Sequence, residues 1–319
     1  MSALIGGPVC GMTWGWVGER GTWATPAASH SMRAMADHAV TWTAIAYAGE
    51  QATPLSTEVP VDAARTVTDD EIVWAIREAH ARGMKVCLKP VVNVADGTWR
   101  AHIGFFDWDV PGEPSWTQWF ASYAEFILHA ARIAEAEGCA MFCIGCEMVR
   151  SDAQEEHWRA LIARVREVYS GPITYNCDKY QEDRVAWWDA VDVISSSGYY
   201  PTGTWEENLD RIRSVVDTFD KPFFFMEAGC PSRTGSARLP NDWNLSGSPS
   251  GEEQARYYRE MFDACRSRPW VDGLMLWDWP ATLYAPEEAA DNDDYCPYGK
   301  PAAEVMRREY SAWSAKSDE

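Results

Sequence analysis

The sequence is poor in basic residues. Its 319 residues include 28 lysines and arginines but 48 aspartates and glutamates, so the formal net charge at pH 7 is −20. Nucleic acids and anionic membrane surfaces are bound through clusters of positive charge. We therefore expect neither nucleic acid nor a membrane surface as a partner. Solubility is a sufficient reason for the acidic surface.

Long apolar segments are also missing, and no signal peptide is expected. No apolar run approaches the roughly 18 residues of a membrane helix, and residues 1–8 lack the basic and apolar regions of a signal peptide. The nine cysteines are an odd number, and several lie in apolar, strand-like segments, as small buried hydrophobes do: Cys10, Cys87, Cys143 and Cys177. This usage predicts a reducing, cytoplasmic location.

Several motifs of metal and nucleophilic chemistry are absent. The sequence has no HExxH pair, no G-x-S-x-G segment and no glycine-rich phosphate loop after its first strand. Cys143 and Cys146 have C-x-x-C spacing, but along a strand they would face opposite sides and could not hold one metal. The acidic segment 291–294 lacks the glycine and distal glutamate of a calcium loop. We expect no metal and no cofactor.

Tryptophan, in contrast, is abundant. The chain contains 18 tryptophans, although hydrophobic cores favour leucine, isoleucine and valine, which have no polar atom to satisfy. Sugar rings and other flat, partly apolar ligands stack well on exposed indole rings. Part of the tryptophan excess is therefore predicted to bind carbohydrate.

Short apolar segments alternate with amphipathic segments along the chain. The apolar segments predict eight strands, at 9–12, 41–47, 84–92, 141–144, 173–176, 193–198, 223–226 and 271–276. No linker or low-complexity segment divides the chain. Residues 1–319 are therefore predicted to form one α/β domain, a (β/α)8 TIM barrel. An open, doubly wound sheet is the alternative, and the missing phosphate loop disfavours it.

A helix is predicted after each strand, which gives eight β–α units. One helix, at 68–82, begins with a capping box of Thr68 and Glu71 and ends before Gly83. The clearest helical period covers aromatic and apolar residues from 116 to 127. The other predicted helices are at 29–38, 158–169, 209–219, 255–265 and from 301 onward, with a short one at 184–188.

Two glutamates directly follow apolar strands. Glu147 ends the fourth predicted strand and Glu227 ends the seventh. Chemistry in barrels of this kind takes place at the carboxyl ends of the strands, and a charge next to a buried strand is costly without a partner or a function. Strand alternation puts Glu147 in phase with Cys143, and Glu227 in phase with Phe225. Alternation alone leaves open whether these faces point into the barrel.

Paired carboxyl groups are the machinery of glycoside hydrolysis. One group protonates the leaving oxygen and the other attacks the anomeric carbon, and in retaining enzymes they lie about 5–5.5 Å apart. We predict that Glu147 is the general acid/base and Glu227 the nucleophile. The alternative is that each glutamate pairs with a barrel lysine or arginine, such as Lys89, for structural reasons.

Seven segments, in order along nearly the whole chain, make a family resemblance. They are LKP at 88–90, DGTWR at 96–100, IGCE at 144–147, GPITY at 171–175, YYP at 199–201, KP through EAG at 221–229, and YGKP at 298–301. Together they resemble glycoside hydrolase family 113, small β-mannanases in the large retaining barrel clan (clan A), which has glutamates at the ends of strands four and seven. The resemblance implies hydrolysis of β-1,4-mannosidic linkages, with retention of configuration and without a cofactor.

The resemblance also implies roles around the two glutamates. It implies that Tyr199 orients the nucleophile through a hydrogen bond and that Trp277 forms the floor under the attacked sugar. Much of the clan has an asparagine before the acid/base, where it contacts the sugar 2-hydroxyl, but this chain has Cys146. A thiol is a weaker hydrogen-bonding group than an amide, so the contact with an equatorial 2-hydroxyl is predicted to be weakened.

Other residues near strand ends are candidate substrate-binding residues. Polar candidates follow the third and fifth strands, and tryptophans in several loops are candidates for stacking on sugars. For each of them, a core position or a structural ion pair is the alternative. The polar candidates are Lys89, Asn93, Asn176 and Asp178, and the tryptophans are Trp14, Trp99, Trp205, Trp243 and Trp279.

The sequence thus predicts a glycosidase of carbohydrate metabolism that acts on manno-oligosaccharides. A cytoplasmic location implies short imported oligosaccharides as substrates. One alternative is a retaining enzyme for xylose- or glucose-based β-linked oligosaccharides, or a transglycosylase. A second alternative is a non-catalytic carbohydrate-binding barrel, against which the two intact glutamates argue.

Overall fold

Eight parallel strands close into a barrel in sequence order, with the first strand paired to the last. The computed structural model describes residues 4–16 and 18–315. The strands are β1 Val9–Trp14, β2 Trp42–Gln51, β3 Lys85–Val94, β4 Met141–Cys146, β5 Ile173–Cys177, β6 Val193–Gly198, β7 Phe223–Ala228 and β8 Val271–Trp279. The predicted (β/α)8 barrel is confirmed, and the open-sheet alternative is excluded.

Seven α-helices surround the barrel in the described part of the chain. They are α1 Pro26–Ala36, α2 Asp69–His80, α3 Trp116–Ala136, α4 Glu155–Arg166, α5 Trp205–Phe219, α6 Gly251–Arg266 and α7 Pro301–Ala315. The capping box predicted at the start of α2 is present: the Thr68 hydroxyl accepts from the Glu71 backbone N–H, and the Glu71 side chain accepts from the backbone N–H of Thr68. Gly83, with φ +76°, follows α2 in the left-handed conformation that ends helices.

The fifth unit differs from the prediction. Instead of a helix at 184–188, two short 3-10 turns, Glu182–Arg184 and Trp188–Ala190, follow β5. Between them Trp187 is fully buried and stacks on Trp158 of α4, with ring centroids 4.9 Å apart. Indole rings therefore cover the barrel where a helix packs in the other units.

Apolar residues form two layers, one inside the barrel and one between the barrel and the helices. The inner layer includes Val9, Cys87, Cys143, Phe224 and Met226. A separate aromatic cluster of Tyr199, Trp277 and Tyr295, with Trp16 packed against it, lies at the carboxyl end of the strands. The barrel interior is thus apolar at the bottom and aromatic at the rim.

The two strands that lead to the predicted catalytic glutamates each contain an extra residue. In β4, the step of three residues from Cys143 to Cys146 pairs with a step of only two residues in β5. In β7, the step of two residues from Phe225 to Glu227 pairs with a step of only one residue in β6. Because of this irregularity, Phe225 packs into the outer layer whereas Glu227 faces the rim, although strict alternation would place both on one face.

The described residues contain neither a membrane-spanning helix nor a metal-binding cluster. No helix among them is long and apolar enough to cross a membrane, and no group of three or more potential ligands is arranged to hold a metal ion. The nine cysteines are all buried, and each is a free thiol.

Gly273 marks a third irregularity, where β8 carries an extra residue relative to β7. Its φ is +144°, and a Cβ there would lie 2.2 Å from the carbonyl oxygen of Val9. We expect Gly273→Ala to lower the free energy of unfolding by about 3 kcal/mol, because backbone has to move to relieve the clash. Gly83→Ala is the control, since a Cβ there meets open space and the cost is only about 1 kcal/mol of backbone strain. Urea unfolding measures both, and equal losses would contradict the clash.

Candidate active site

A cavity of about 640 Å³ opens where the strands end, a volume within the range of small-molecule sites. Both glutamates singled out in the sequence line it. The other polar and aromatic lining residues are Trp16, Glu50, Asn93, Trp99, Arg100, Cys146, Asp178, Lys179, Tyr199, Asn241, Trp243, Asn244 and Trp277.

Glu227 is surrounded by hydrogen-bond donors. The residue is 5% exposed. Its Oε1 accepts from the Lys89 ammonium and, at 3.4 Å, from the Cys146 thiol, and its Oε2 accepts from the Tyr199 hydroxyl at 2.8 Å. Burial alone would raise the pKa of Glu227, but the charge and hydrogen bond of Lys89, helped by Tyr199, lower it below its usual value. The site therefore holds Glu227 as a carboxylate, with the hydrogen bond from Tyr199 that the family resemblance implies.

Lys89 lies beneath the cavity and not on its wall. Alternation along β3 runs from Cys87 in the inner core to Lys89, which is fully buried. The Lys89 ammonium donates to Glu227 and, at 2.7 Å, to Oδ1 of Asn176, which is also fully buried. Of the two alternatives for Lys89, the geometry favours the ion pair over contact with sugar hydroxyls. Asn176 likewise contacts the site residues from below.

Glu147 is held from two sides. Its backbone φ is +53°, and its N–H donates to the carbonyl of Asn176 at 2.8 Å. Oε1 accepts from the Ser197 hydroxyl at 2.8 Å, and Oε2 accepts from Arg100 Nη1 at 3.2 Å and Trp99 Nε1 at 3.3 Å. Glu147 therefore has donors on both oxygens, but its surroundings differ from those of Glu227 because its cation is an arginine at the rim.

A continuous path of hydrogen bonds joins the two carboxyl groups. From Glu147 it runs through Ser197 to Asn176, whose Nδ2 donates to the Ser197 hydroxyl at 3.0 Å, and then through Lys89 to Glu227. Each intermediate side chain is fully buried. None of them can reorient without leaving a buried polar atom unpaired, so the path fixes the two carboxyl groups relative to each other.

Arg100 is itself positioned by its neighbours. Its Nη2 donates to Oδ1 of Asn93 at 2.8 Å, and its Nε donates to the carbonyl of Val92 at 3.0 Å. The guanidinium also lies 5.4 Å from the ring centroid of Trp16. The structure thus places Asn93 on the cavity wall, where it also orients the cation beside Glu147.

Aromatic rings form one wall of the cavity. Trp277 packs against Trp16, with centroids 5.3 Å apart, and against Trp243, at 6.4 Å. Trp243 and Trp99 are largely exposed at the mouth. Flat apolar faces beside buried carboxyl groups suit a ligand with both hydroxyl groups and apolar ring faces, such as a sugar.

Three predicted tryptophans lie in the core and not at the cavity. Trp14 and Trp279 are fully buried behind the barrel. The indole N–H of Trp14 donates to the hydroxyl of Ser31 in α1, and the indole N–H of Trp279 donates to the backbone carbonyl of the same serine. An extra residue in β8 opposite β1 places Trp277 at the rim and Trp279 in the outer layer. Trp205 at the start of α5 is also buried. None of the three has a free face for a sugar, which corrects the expectation.

Several cavity or site residues were not predicted, among them Trp16, Arg100, Ser197 and Lys179. Trp16 lies two residues after Trp14, so strand alternation would place both on one face, and it could not have separated the cavity residue Trp16 from the core residue Trp14. Ser197 belongs to a run of three serines in an otherwise apolar strand, which is itself a signal of a polar partner inside the barrel. Arg100 directly follows the predicted Trp99, but no pattern in the sequence links it to Glu147.

Comparisons with known proteins identify close relatives. The sequence profile described as Glycoside Hydrolase Family 113 matches residues 12–300. A GH113 β-1,4-mannanase, in a complex structure, shares 51% sequence identity with this chain. The match covers 96% of this chain and 99% of the mannanase, with a TM-score of 0.95. The GH113 β-mannanase from Alicyclobacillus acidocaldarius, in complex with ManMIm, is 47% identical over 98% of this chain and 99% of its own, with a TM-score of 0.94.

More distant structures share the fold alone. The β-glucuronidase of Ruminococcus gnavus is 14% identical, covers 95% of this chain and 50% of its own, and has a TM-score of 0.65. A comparison with curated proteins found no match.

Replacing Lys89 should change the ionisation of Glu227. In Lys89→Met the pKa of Glu227 is expected to rise, because burial is then opposed mainly by the hydrogen bond from Tyr199 and the more distant charge of Arg100. Titration of carbon-13-labelled glutamate side chains by NMR measures the change. Lys85→Met, at the exposed start of the same strand, is the control. An unchanged midpoint for Glu227 would show that Lys89 does not hold its charge.

The lowered pKa of Glu227 in the folded protein makes the free energy of unfolding depend on pH. Its ionised form contributes stability above the pKa of an unfolded glutamate, and this contribution is lost as the pH falls through the lower folded value. Lys89→Met should therefore be most destabilised, relative to the native protein, at and above neutral pH.

Proposed function

Because this chain belongs to glycoside hydrolase family 113, we propose that it cleaves β-1,4-mannosidic linkages, in manno-oligosaccharides and mannan, by double displacement with retention of configuration. The observation that carries the proposal is the pair of buried carboxyl groups in one cavity. Glu147 and Glu227 have different partners, linked through a fixed hydrogen-bond path. Two carboxyl groups with distinct environments are what this mechanism requires.

Glu227 is the nucleophile in this proposal. The ion pair with Lys89 keeps it ionised, and Tyr199 holds one of its oxygens in a fixed orientation. The attacked sugar lies beside Glu227 on the ring of Trp277, which also stands close to the Lys89 ammonium, 5.6 Å from its ring centroid. Attack on the anomeric carbon forms a covalent glycosyl-enzyme and breaks the bond to the leaving oxygen.

Glu147 is the general acid/base. In the first step it gives its proton to the leaving oxygen, and in the second it takes a proton from the water that releases the sugar from Glu227. Its three partners, Ser197, Arg100 and Trp99, all donate hydrogen bonds to it. These contacts hold both of its oxygens in place, so the group is oriented for both steps.

The substrate preference rests on Cys146 together with the mannanase relatives. The Cys146 thiol points to Oε1 of Glu227 at 3.4 Å, so a strong side-chain donor for an equatorial 2-hydroxyl is lacking at this position. Loss of one such hydrogen bond costs about 0.5–1.5 kcal/mol. Glucosides and xylosides carry that equatorial hydroxyl, whereas mannosides carry an axial one, so the loss falls on the competing sugars.

A reducing compartment such as the cytoplasm is part of the proposal. Nine buried free thiols fit such a compartment, and short imported oligosaccharides would be the substrates there. Cell fractionation tests this, because activity confined to the extracellular fraction would contradict it.

The roles of the two glutamates can be separated by leaving group. Glu147→Ala should slow hydrolysis of manno-oligosaccharides far more than that of an activated aryl β-mannoside, because only poor leaving groups need a proton. Added azide should capture the glycosyl-enzyme as a β-mannosyl azide, identified by proton NMR. Glu227→Ala should lose about 10³-fold or more on both substrates.

The control is Glu207→Ala, which removes an exposed carboxylate from the first turn of α5 and should behave like the native enzyme. Equal losses on both substrates in Glu147→Ala, with no azide product, would exclude it as the acid/base. An α-azide, or α-configured first product from the native enzyme, would indicate inversion instead of retention.

The sugar preference is tested on oligosaccharides of matched length. We expect kcat/KM for mannotriose to mannohexaose to exceed that for xylo- and cello-oligosaccharides, by about a factor of a few to tenfold for each hydrogen bond that the competing sugar cannot make. Digests resolved by mass spectrometry measure the three series side by side. Faster cleavage of the xylo- or cello-series would replace the mannoside assignment with the first alternative, and binding without turnover of any sugar would support the non-catalytic barrel.

A further inference from the structure

Asp178 is a buried carboxylate that the hydrolytic mechanism does not yet use. It follows β5, lines the cavity and is 6% exposed. Its Oδ1 has no hydrogen-bond partner among the described residues. The ammonium of Lys179 lies 3.8 Å from that oxygen, which is a charge contact beyond hydrogen-bond length. A buried acceptor without a donor is costly in free energy, so the site is built for a donor that comes from outside the protein.

The position of Asp178 indicates which part of the substrate supplies that donor. Asp178 follows β5, which pairs with β4, the strand that leads to Glu147. After burial, the charge of Glu147 is the largest influence on the pKa of Asp178. Trp277, on β8, lies instead beside Lys89, the partner of Glu227. The attacked sugar must contact Glu227 and the leaving sugar must contact Glu147, so the place of Asp178 beside Glu147 indicates the leaving sugar.

The charges around Asp178 favour an uncharged hydrogen-bonding ligand over an anionic one. Burial, followed by the negative charge of Glu147, raises the pKa of Asp178 to about 7, while Lys179 opposes the rise and Glu182 adds to it. Asp152, whose own pKa is raised by burial to about 8, also feels the charge of Asp178. A hydroxyl group satisfies Oδ1 without adding another charge to this crowded acidic region.

We propose that Asp178 is the recognition residue of the leaving-sugar subsite, where it accepts a hydrogen bond from a hydroxyl group of the departing sugar. This rests on the proposed function and deepens it. Asp178 then gives the enzyme its preference for oligosaccharides over glycosides whose leaving group carries no hydroxyl. Trp277 holds the attacked sugar beside Glu227, and Asp178 holds the sugar that leaves.

Two substrates with the same glycone test the proposal. Mannotriose releases a mannose as leaving group, whereas 4-nitrophenyl β-mannobioside releases a phenol without a sugar hydroxyl. In Asp178→Asn we expect kcat/KM for mannotriose to fall about tenfold more than kcat/KM for the aryl glycoside, the scale of one hydrogen bond to a charged group. Asp183→Asn, an exposed aspartate on the same loop, is the matched control and should match the native enzyme on both substrates.

Modified substrates give a second, independent measurement. Trisaccharides that lack single hydroxyl groups on the leaving sugar should include one that the native enzyme cleaves about tenfold more slowly. The same deoxygenation should cost Asp178→Asn much less, because its hydrogen bond is already weakened. If Asp178→Asn does not fold by circular dichroism, the deoxy series on the native enzyme still decides, since insensitivity to every leaving-sugar hydroxyl overturns the proposal.

The outcomes separate this inference from the proposed function. Failure of the native enzyme to cleave any manno-oligosaccharide contradicts the proposed function. Cleavage by the native enzyme, with equal losses for Asp178→Asn on both substrates, assigns Asp178 a structural role and overturns the inference alone. A selective loss on mannotriose that disappears with the matching deoxy substrate supports the subsite.

Discussion

The buried ion pair between Lys89 and Glu227 is the interaction on which the rest of the site depends. Removing two charges from water costs on the order of several kcal/mol per ion, and a close partner with further hydrogen bonds is needed to offset it. Here Asn176 satisfies Lys89 from one side, and Tyr199 and the Cys146 thiol satisfy Glu227 from the others. The ion pair and these neighbours therefore form a fully hydrogen-bonded polar layer above the apolar layer of the barrel interior.

This polar layer gives the two carboxyl groups different environments within one cavity. Glu227 faces a lysine that is sealed beneath the floor, whereas Glu147 faces an arginine at the rim that is held by Asn93 and Trp16. A sealed cation maintains one charge state. A rim cation lies where substrate arrives, so its contact with Glu147 is the one that substrate binding can change. The asymmetry matches the different tasks proposed for the two groups.

The pattern of apolar segments in the sequence was sufficient to predict the barrel and to single out the two glutamates. Apolar segments of strand length recur eight times, and Glu147 and Glu227 directly follow two of them. The tryptophans were harder, because period-two alternation assumes a regular strand. Extra residues near the ends of β4, β7 and β8 reset the phase, so Trp277 reaches the cavity while Trp279 packs behind the barrel. The same resetting turns Glu227 toward the cavity, away from the face of Phe225.

The sequence by itself determined the order of the eight strands, the strand ends at which Glu147 and Glu227 lie and the excess of acidic residues, because these follow from local periodicity and composition. Only the tertiary structure decided the partners of each glutamate. Lys89 and Glu227 are 138 residues apart, and Ser197 and Glu147 are 50 apart. Such pairings depend on how closing the barrel brings distant strands together, and on irregularities in strand pairing that leave no periodic trace in the sequence.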